Sequence, residues 1–206
     1  MTDTLIIQFA KWPQLGKVKT RLAKKIGDKA AYDTHIELVQ TVLDNLTRSS
    51  LGDVELWFDQ LSSETPESHP ITKLCSERSV SIAYQHGEDL GERMHHGLAL
   101  GLKAYKKVII VGSDCPTVDK PYLAKAINEL DRNDLVFGPA EDGGYVLIGA
   151  RIIKPTFLDE IKWGESTVLQ ATVKCADKLG LTYELLDTTW DVDEYEDYLR
   201  WKGRLL

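Results

Sequence analysis

Two groups of charged side chains, opposite in sign, are the residues of this sequence best suited to chemistry. Residues 4–27 hold six bases and no acid, and residues 187–199 hold six acids and no base. The bases are Lys11, Lys17, Lys19, Arg21, Lys24 and Lys25. The acids are Asp187, Asp191, Asp193, Glu194, Glu196 and Asp197. Because cationic side chains bind phosphate oxygens and carboxylates bind hard divalent cations, this separation predicts a phosphate site and a metal site.

The basic group begins directly after an apolar, β-branched segment, Thr4–Ala10, which reads as a buried strand. Pro13 and Gly16 shape a turn after this strand, and backbone amides of such a turn can approach phosphate. The cations available to hold polyphosphate oxygens are Lys17, Lys19 and Arg21. The alternative is a basic loop that is merely solvated.

A carboxylate, Asp114, follows the strongly apolar strand predicted over 107–112. A helix-capping role for Asp114 is disfavoured, because Asp119 is better placed to cap the next helix. A strand-end carboxylate suits a metal ion or a direct substrate contact. Cys115 has no neighbouring histidine or helix start to activate its thiol, so it is expected to pack as a small apolar residue.

The segment 138–145 contains Glu141-Asp142-Gly143-Gly144 between two predicted strands. An Asp-Gly-Gly sequence is typical of a hairpin turn. It also lets the backbone approach a ligand closely, with Asp142 or Tyr145 in contact. The sequence leaves both interpretations open.

Asp191 and Asp193 lie two residues apart before the last predicted helix. On an extended segment they face the same side, which suits oxygen ligation of a cation. Asp193 with Glu196 also fits a capping box, but that role leaves Asp191 unexplained.

Two further segments give weaker signals. Residues 85–94 can reach a nucleotide after the third strand, and residues 163–169 can cap a helix and contact an acceptor.

Strands and helices alternate along the whole sequence. Strands are predicted over 4–10, 54–58, 80–84, 107–112, 135–140, 145–149 and 182–186. Helices are predicted over 29–46 (capped by Asp28), 71–78, 88–105, 121–130, 168–179 and 194–202, with a loop over 62–70. The pattern predicts one α/β domain spanning 1–206, with a mainly parallel sheet covered on both faces. Ligands of such sheets bind outside the carboxyl ends of the strands.

Composition narrows the class of protein. The 206 residues carry 25 Lys+Arg and 32 Asp+Glu, a net charge of −7, and 43% are apolar. An acidic balance disfavours a nucleic-acid partner, and no apolar run is long enough to span a membrane. Three scattered cysteines and an acidic start without a signal peptide predict a cytoplasmic protein.

Five segments, in this order, resemble one bacterial family over nearly the whole chain. They are Phe9-Ala10-Lys11-Trp12-Pro13 through Gly16-Lys17-Val18-Lys19-Thr20-Arg21-Leu22, Gly91-Glu92-Arg93-Met94, Gly112-Ser113-Asp114-Cys115-Pro116, Gly138 through Tyr145, and Trp190-Asp191-Val192-Asp193. The family is called rSAM/selenodomain-associated transferase 1, and its members are described as glycosyltransferases of the GT-A, nucleotide-diphospho-sugar transferase fold. Lys19-Thr20-Arg21-Leu22 is also similar to the start of 2-phospho-lactate guanylyltransferase, a nucleotidyltransferase of the same fold.

The resemblance implies a three-layer GT-A-like domain and, with the residue patterns, a set of site residues. Lys19, Arg21 and Asp114 are expected to be catalytic. Nucleotide binding is expected from Lys11, Pro13, Gly16, Lys17, Thr20, Gly91, Arg93, Asp142, Gly143 and Gly144. Glycosyltransferases of this fold usually carry Asp-x-Asp at the central strand, whereas this chain has Asp114-Cys115-Pro116. Mg²⁺ or Mn²⁺ is therefore expected on Asp114, with Asp191 or Asp193 as further ligands.

Two chemistries remain open: glycosyl transfer from a nucleotide sugar, and nucleotidyl transfer from a nucleoside triphosphate, each to a small-molecule acceptor. The abundant positive charge and the missing Asp-x-Asp favour the second, and the family description favours the first. A nucleotide-binding regulatory module without turnover is the alternative from another class. The base, the acceptor and the oligomeric state are left open by the sequence.

Overall fold

Strand β1 (Thr4–Ala10) is the centre of the fold, and all seven of its residues are buried. Its side chains alternate between two apolar clusters: Leu5, Ile7 and Phe9 pack on one face, and Ile6 packs on the other. Such burial on both faces is typical of a sheet enclosed between two helical layers. The structure is a computed structural model that describes residues 2–60, 69–159 and 161–203.

The elements alternate in the predicted way. After β1, the strands are β2 Asp53–Phe58, β3 Ser81–Tyr84, β4 Lys107–Gly112, β5 Leu135–Pro139, β6 Tyr145–Ala150 and β7 Tyr183–Leu185. The helices are α1 Thr20–Ile26, α2 Asp28–Ser49, α3 Pro70–Arg78, α4 Leu90–Gly101, α5 Lys120–Glu129, α6 Val168–Leu179 and α7 Tyr195–Trp201. Most of the loop predicted over 62–70 lies outside the described residues, and Pro70 begins α3.

The strands form one mixed sheet in the order β3-β2-β1-β4-β6-β5-β7. Strand β6 is antiparallel to β4 and β5, while the other paired strands run parallel. One cluster packs α4 and α6 on the sheet, and the other packs α2 and α5 on the opposite face. The predicted three-layer α/β architecture with a mainly parallel mixed sheet is therefore confirmed.

Local differences from the sequence prediction occur at helix starts. Helix α1 was not predicted, and Gly27 precedes α2, so the prediction that Asp28 caps α2 was wrong. Asp119 does cap α5, since its side chain accepts a hydrogen bond from the backbone amide of Tyr122. The predicted helix over 88–105 is shorter, because Asp89 caps it and it ends at Gly101.

The capping box of α7 also differs by one position. It is formed by Glu194 and Asp197, not by Asp193 and Glu196. Asp193 is thereby left outside the helix, and its side chain accepts a hydrogen bond from Arg21.

Within the described residues, no helix combines the length and the apolar character that crossing a membrane requires.

Candidate functional site

A cavity of about 870 Å³ opens at the edge of the sheet where the parallel strands end. The residues that follow β1, β4, β5 and β7 line it, together with the start of the antiparallel strand β6. This volume lies within the usual range of small-molecule binding sites. The cavity therefore lies where an α/β sheet of this kind is expected to bind its ligand.

The basic loop after β1 folds into the cavity through Lys19. The backbone of Lys19 is left-handed, with φ 47° and ψ 46°. Lys19 directly precedes α1, and its side chain does not cap the helix. A residue with a Cβ in this conformation carries a cost of about 1–2 kcal/mol. Only 7% of the Lys19 side chain is exposed. The surrounding contacts must therefore stabilise this conformation.

Those contacts are carboxylates from distant parts of the chain. The Lys19 ammonium donates to Asp114 Oδ2 at 2.8 Å and lies 3.8 Å from Asp193 Oδ1. Arg21 Nη1 donates to Asp193 Oδ2 at 2.9 Å. The basic and acidic groups of the sequence thus meet in one site.

Burial and charge act against each other in this pair. Burial alone would raise the pKa of Asp114, yet the Lys19 ammonium lowers it overall. Burial alone would likewise lower the pKa of Lys19, but the negative charge of Asp114 outweighs it, and the pKa of Lys19 is raised. Both groups are therefore charged at neutral pH.

A short network of side-chain hydrogen bonds supports the turn that carries Asp114. The Ser113 hydroxyl donates to Phe9 O at 2.6 Å, and Gln8 Nε2 donates to Ser113 Oγ at 3.1 Å. These buried bonds join the end of β4 to its neighbour β1. They give Asp114 a rigid support at the floor of the cavity.

Asp191, in the segment that follows the edge strand β7, reaches the same place. The backbone amide of Val192 donates to Asp114 O at 2.9 Å, which sets Asp191 beside the end of β4. Burial, followed by the charges of Asp114 and Asp142, raises the pKa of Asp191 to about 7. The site therefore carries more negative charge than Lys19 neutralises.

The carboxylates can be tested as ligands for a divalent cation. Among the described residues, no three Asp, Glu, His or Cys side chains converge as a metal-binding group. The side chains of Asp114 and Asp191 nevertheless offer oxygen atoms as ligands. Asp114 already binds one cationic group, the ammonium of Lys19. Mg²⁺ is commonly bound by one or two carboxylates, with substrate phosphates and water completing its shell. The residues fit such an open site.

The segment between β5 and β6 is a tight turn that also faces the cavity. Asp142 Oδ1 accepts from the Gly144 amide at 2.8 Å, which orients the carboxylate. Gly143 has φ +89°, and a Cβ there would lie 2.0 Å from Ser166 O. The hairpin turn is confirmed, and it places Asp142 and Gly144 in the cavity wall. Contact of this turn with a ligand stays a prediction.

Most residues singled out by the sequence converge on the cavity. Its wall contains Lys11, Lys17, Lys19, Thr20, Arg21, Arg93, Asp114, Asp142, Gly144, Asp191 and Asp193. Pro13, Gly16, Gly91 and Gly143 are not in the wall. Pro13 is buried beneath the loop, and Gly16 turns it with φ +76°. Gly91 lets Trp163 pack on α4, since a Cβ there would lie 2.8 Å from the indole.

Two polar lining residues, His35 and Asp59, were missed by sequence reasoning. His35 of α2 contacts Lys11 O through Nε2 at 2.9 Å, and burial lowers its pKa, so it donates as a neutral ring. Asp59 accepts from the Trp12 amide at 2.8 Å. Gln85, which belongs to the predicted segment 85–94, also lines the cavity, and its Nε2 donates to Trp57 O at 2.9 Å. For His35 and Asp59, the available signals were a polar residue on the buried face of α2 and a polar residue just after β2.

Cys115 packs as expected. Its side chain is buried, and burial raises the pKa of its thiol well above the usual value. Its Sγ contacts Asp114 Oδ1 at 3.5 Å. A thiol kept protonated is a poor nucleophile.

Solved structures give the fold a counterpart. A candidate nucleotide-diphospho-sugar transferase from Desulfovibrio desulfuricans G20 is 34% identical, with a TM-score of 0.88 over 98% of this chain and 88% of that one. A nucleotidyl transferase from Methanothermobacter thermautotroptrophicus is 14% identical, with a TM-score of 0.62 over 98% of this chain and 97% of that one. The Mycobacterium tuberculosis H37Rv protein Rv0371C, solved in complex with manganese, is 14% identical, with a TM-score of 0.57 over 99% and 100%.

The fold is therefore that of a nucleotide-diphospho-sugar transferase. A search of the curated proteins finds no match. Residues 42–165 match a bacterial protein family, and this match covers more than half of the chain. The chain belongs to that family, which is described as uncharacterized protein conserved in bacteria (DUF2064).

Proposed function

We propose that this protein is a Mg²⁺- or Mn²⁺-dependent nucleotidyltransferase, which transfers the nucleotidyl group of a nucleoside triphosphate to a small-molecule acceptor. The observation that carries the proposal is the meeting of Lys19 and Arg21 with Asp114 and Asp193 in one cavity. A triphosphate releases pyrophosphate, and this leaving group requires several cations. The resemblance to the rSAM/selenodomain-associated transferase 1 family supports a transferase of this fold.

In the proposed reaction, an oxygen of the acceptor bonds to the α-phosphorus, and the bond from that phosphorus to the bridging oxygen of pyrophosphate breaks. Lys17, Lys19 and Arg21 bind the pyrophosphate oxygens, where negative charge accumulates. Lys11 and Arg93 extend this positive wall along the cavity. Asp142 and Gly144, which also line the cavity, are assigned to nucleotide binding.

Asp114 and Asp191 are the residues that would hold the divalent cation. The ion supplies charge neutralisation at the phosphoryl oxygens when bound. Asp193 keeps Arg21 aimed at the loop through their 2.9 Å hydrogen bond. The manganese complex of the Mycobacterium tuberculosis protein supports a metal in this fold.

Glycosyl transfer is the second candidate, because the 34% identical Desulfovibrio protein is a candidate nucleotide-diphospho-sugar transferase. In that reaction the acceptor attacks the sugar carbon, and a nucleoside diphosphate leaves. The same cations and carboxylates would hold the leaving group. The two chemistries differ in the released product.

The deciding experiment is a panel of nucleoside triphosphates and nucleotide sugars with Mg²⁺ or Mn²⁺, offered with mixed small-molecule acceptors. We expect pyrophosphate from a triphosphate, and none from the Asp114→Asn variant. Nucleoside diphosphate from a nucleotide sugar would establish the second candidate. Nucleotide binding without either product would favour a regulatory module.

The reducing cytoplasm stays our proposed location, since Cys75, Cys115 and Cys175 are unpaired.

A further inference from the structure

The Lys19 ammonium lies against Asp114, in the position where a divalent cation bound by this carboxylate is expected. Its Nζ lies 2.8 Å from Asp114 Oδ2 and 3.8 Å from Asp193 Oδ1, and its side chain is 7% exposed. The backbone of Lys19 is in the left-handed conformation, with φ 47°. Lys19 is therefore buried against a carboxylate of the cavity wall, and 36% of the Asp114 side chain is exposed.

This contact competes with a divalent cation. One carboxylate oxygen that accepts a short bond from an ammonium has little capacity left for a dication, and the two cations repel each other. A nucleotide changes the balance, because its phosphates offer Lys19 a new anionic partner within the same cavity wall. Release of Lys19 would leave Asp114 and Asp191 with uncompensated charge.

We propose that Lys19 acts as a resident cation, which neutralises Asp114 in the nucleotide-free protein and passes to the phosphates when a nucleotide binds. The divalent cation and the nucleotide then bind in a coupled manner, and the protein alone holds the metal weakly. This inference rests on the proposed function, since it assigns the phosphates and the metal to this cavity. It adds an order of cation exchange within the site.

The test measures Mn²⁺ binding to the nucleotide-free protein by electron paramagnetic resonance, in which bound Mn²⁺ loses the signal of the free ion. Lys19→Met keeps the apolar stem and removes the ammonium. We expect it to bind Mn²⁺ at least about tenfold more tightly than the wild type, because the competing charge has gone. Lys24→Met is the matched control: it removes one charge from exposed Lys24 in the last turn of α1, and we expect little change.

An Mn²⁺ affinity of Lys19→Met within about twofold of the wild type would overturn the inference. Lys19→Gln provides a second variant if Lys19→Met fails to fold, because the amide can still donate to Asp114 without carrying charge. It should also bind Mn²⁺ more tightly than the wild type, and equal binding would count against the inference.

A parallel titration separates this inference from the proposed function. Nucleoside triphosphates are titrated into the wild type with and without Mn²⁺. Metal-dependent nucleotide binding together with unchanged Mn²⁺ affinity in the Lys19 variants would reject only the cation exchange. Absence of any metal-dependent nucleotide binding would reject the proposed function itself.

Discussion

Replacing Asp191 by asparagine should stabilise the metal-free protein, and the gain should grow with pH. The pKa of Asp191 is raised from 3.8 to about 7, first by burial and then by the charges of Asp114 and Asp142. Between these values the folded chain holds a proton that the unfolded chain has released. The free energy of unfolding of the wild type therefore falls as the pH rises through this window.

The size of the effect follows from the shift. One pKa unit corresponds to about 1.4 kcal/mol of unfolding free energy. Between pH 5 and pH 8, the wild type loses the stability that belongs to the part of the window above pH 5, up to the folded pKa of about 7. Linkage then gives about 2–3 kcal/mol of additional destabilisation of the wild type over this range. An asparagine side chain does not ionise, so Asp191→Asn should avoid this loss. The stability gain should thus be about 2–3 kcal/mol larger at pH 8 than at pH 5.

The assay is urea unfolding of the wild type and of Asp191→Asn at pH 5 and pH 8, with a chelator present. Asp177→Asn is the control, because Asp177 is exposed on α6, away from the cavity. Its effect should not change with pH. A gain for Asp191→Asn that is the same at both pH values would refute the assignment of excess negative charge to this site.

Three further predictions test other parts of the account. Arg21→Met should change the free energy of unfolding by less than about 1 kcal/mol, since its pair with Asp193 is exposed, but should weaken triphosphate binding at least about tenfold by calorimetry; unchanged affinity would contradict a phosphate role. Gly143→Ala should lower stability by at least about 2 kcal/mol in urea, because its Cβ would collide with Ser166 O at positive φ; an unchanged midpoint would show that the turn relaxes. Cys115→Ala should retain turnover within about a factor of three, and complete loss would point to thiol chemistry.

The parts of the fold that depend on local patterns were predictable from the sequence. The apolar run Thr4–Ala10 and the apolar stripe of α2 have the periods of a buried strand and an amphipathic helix. Asp114 was predicted as a site residue because a strand end is where such sheets place ligands, and it lines the cavity. The position of the cavity followed from the same rule.

Features that depend on distant contacts were not predictable in this way. Helix α1 lacks a capping side chain, and Lys19, which precedes it, pairs with Asp114, 95 residues along the chain. His35 belongs to the site only because α2 brings it against Lys11 O, a contact that no local pattern encodes. The capping box of α7 lies one residue later than predicted, because acids crowd this segment and several positions satisfy the pattern.

Metal-dependent nucleotide binding at Asp114 tests the central claim most directly. Isothermal titration calorimetry compares nucleoside triphosphates with the wild type and with Asp114→Asn, each with Mg²⁺ and with a chelator. The account predicts tight binding only for the wild type with Mg²⁺, and a loss of at least about tenfold in the variant or with the chelator. Binding that is equally tight in all four conditions, or absent from all of them, would contradict it.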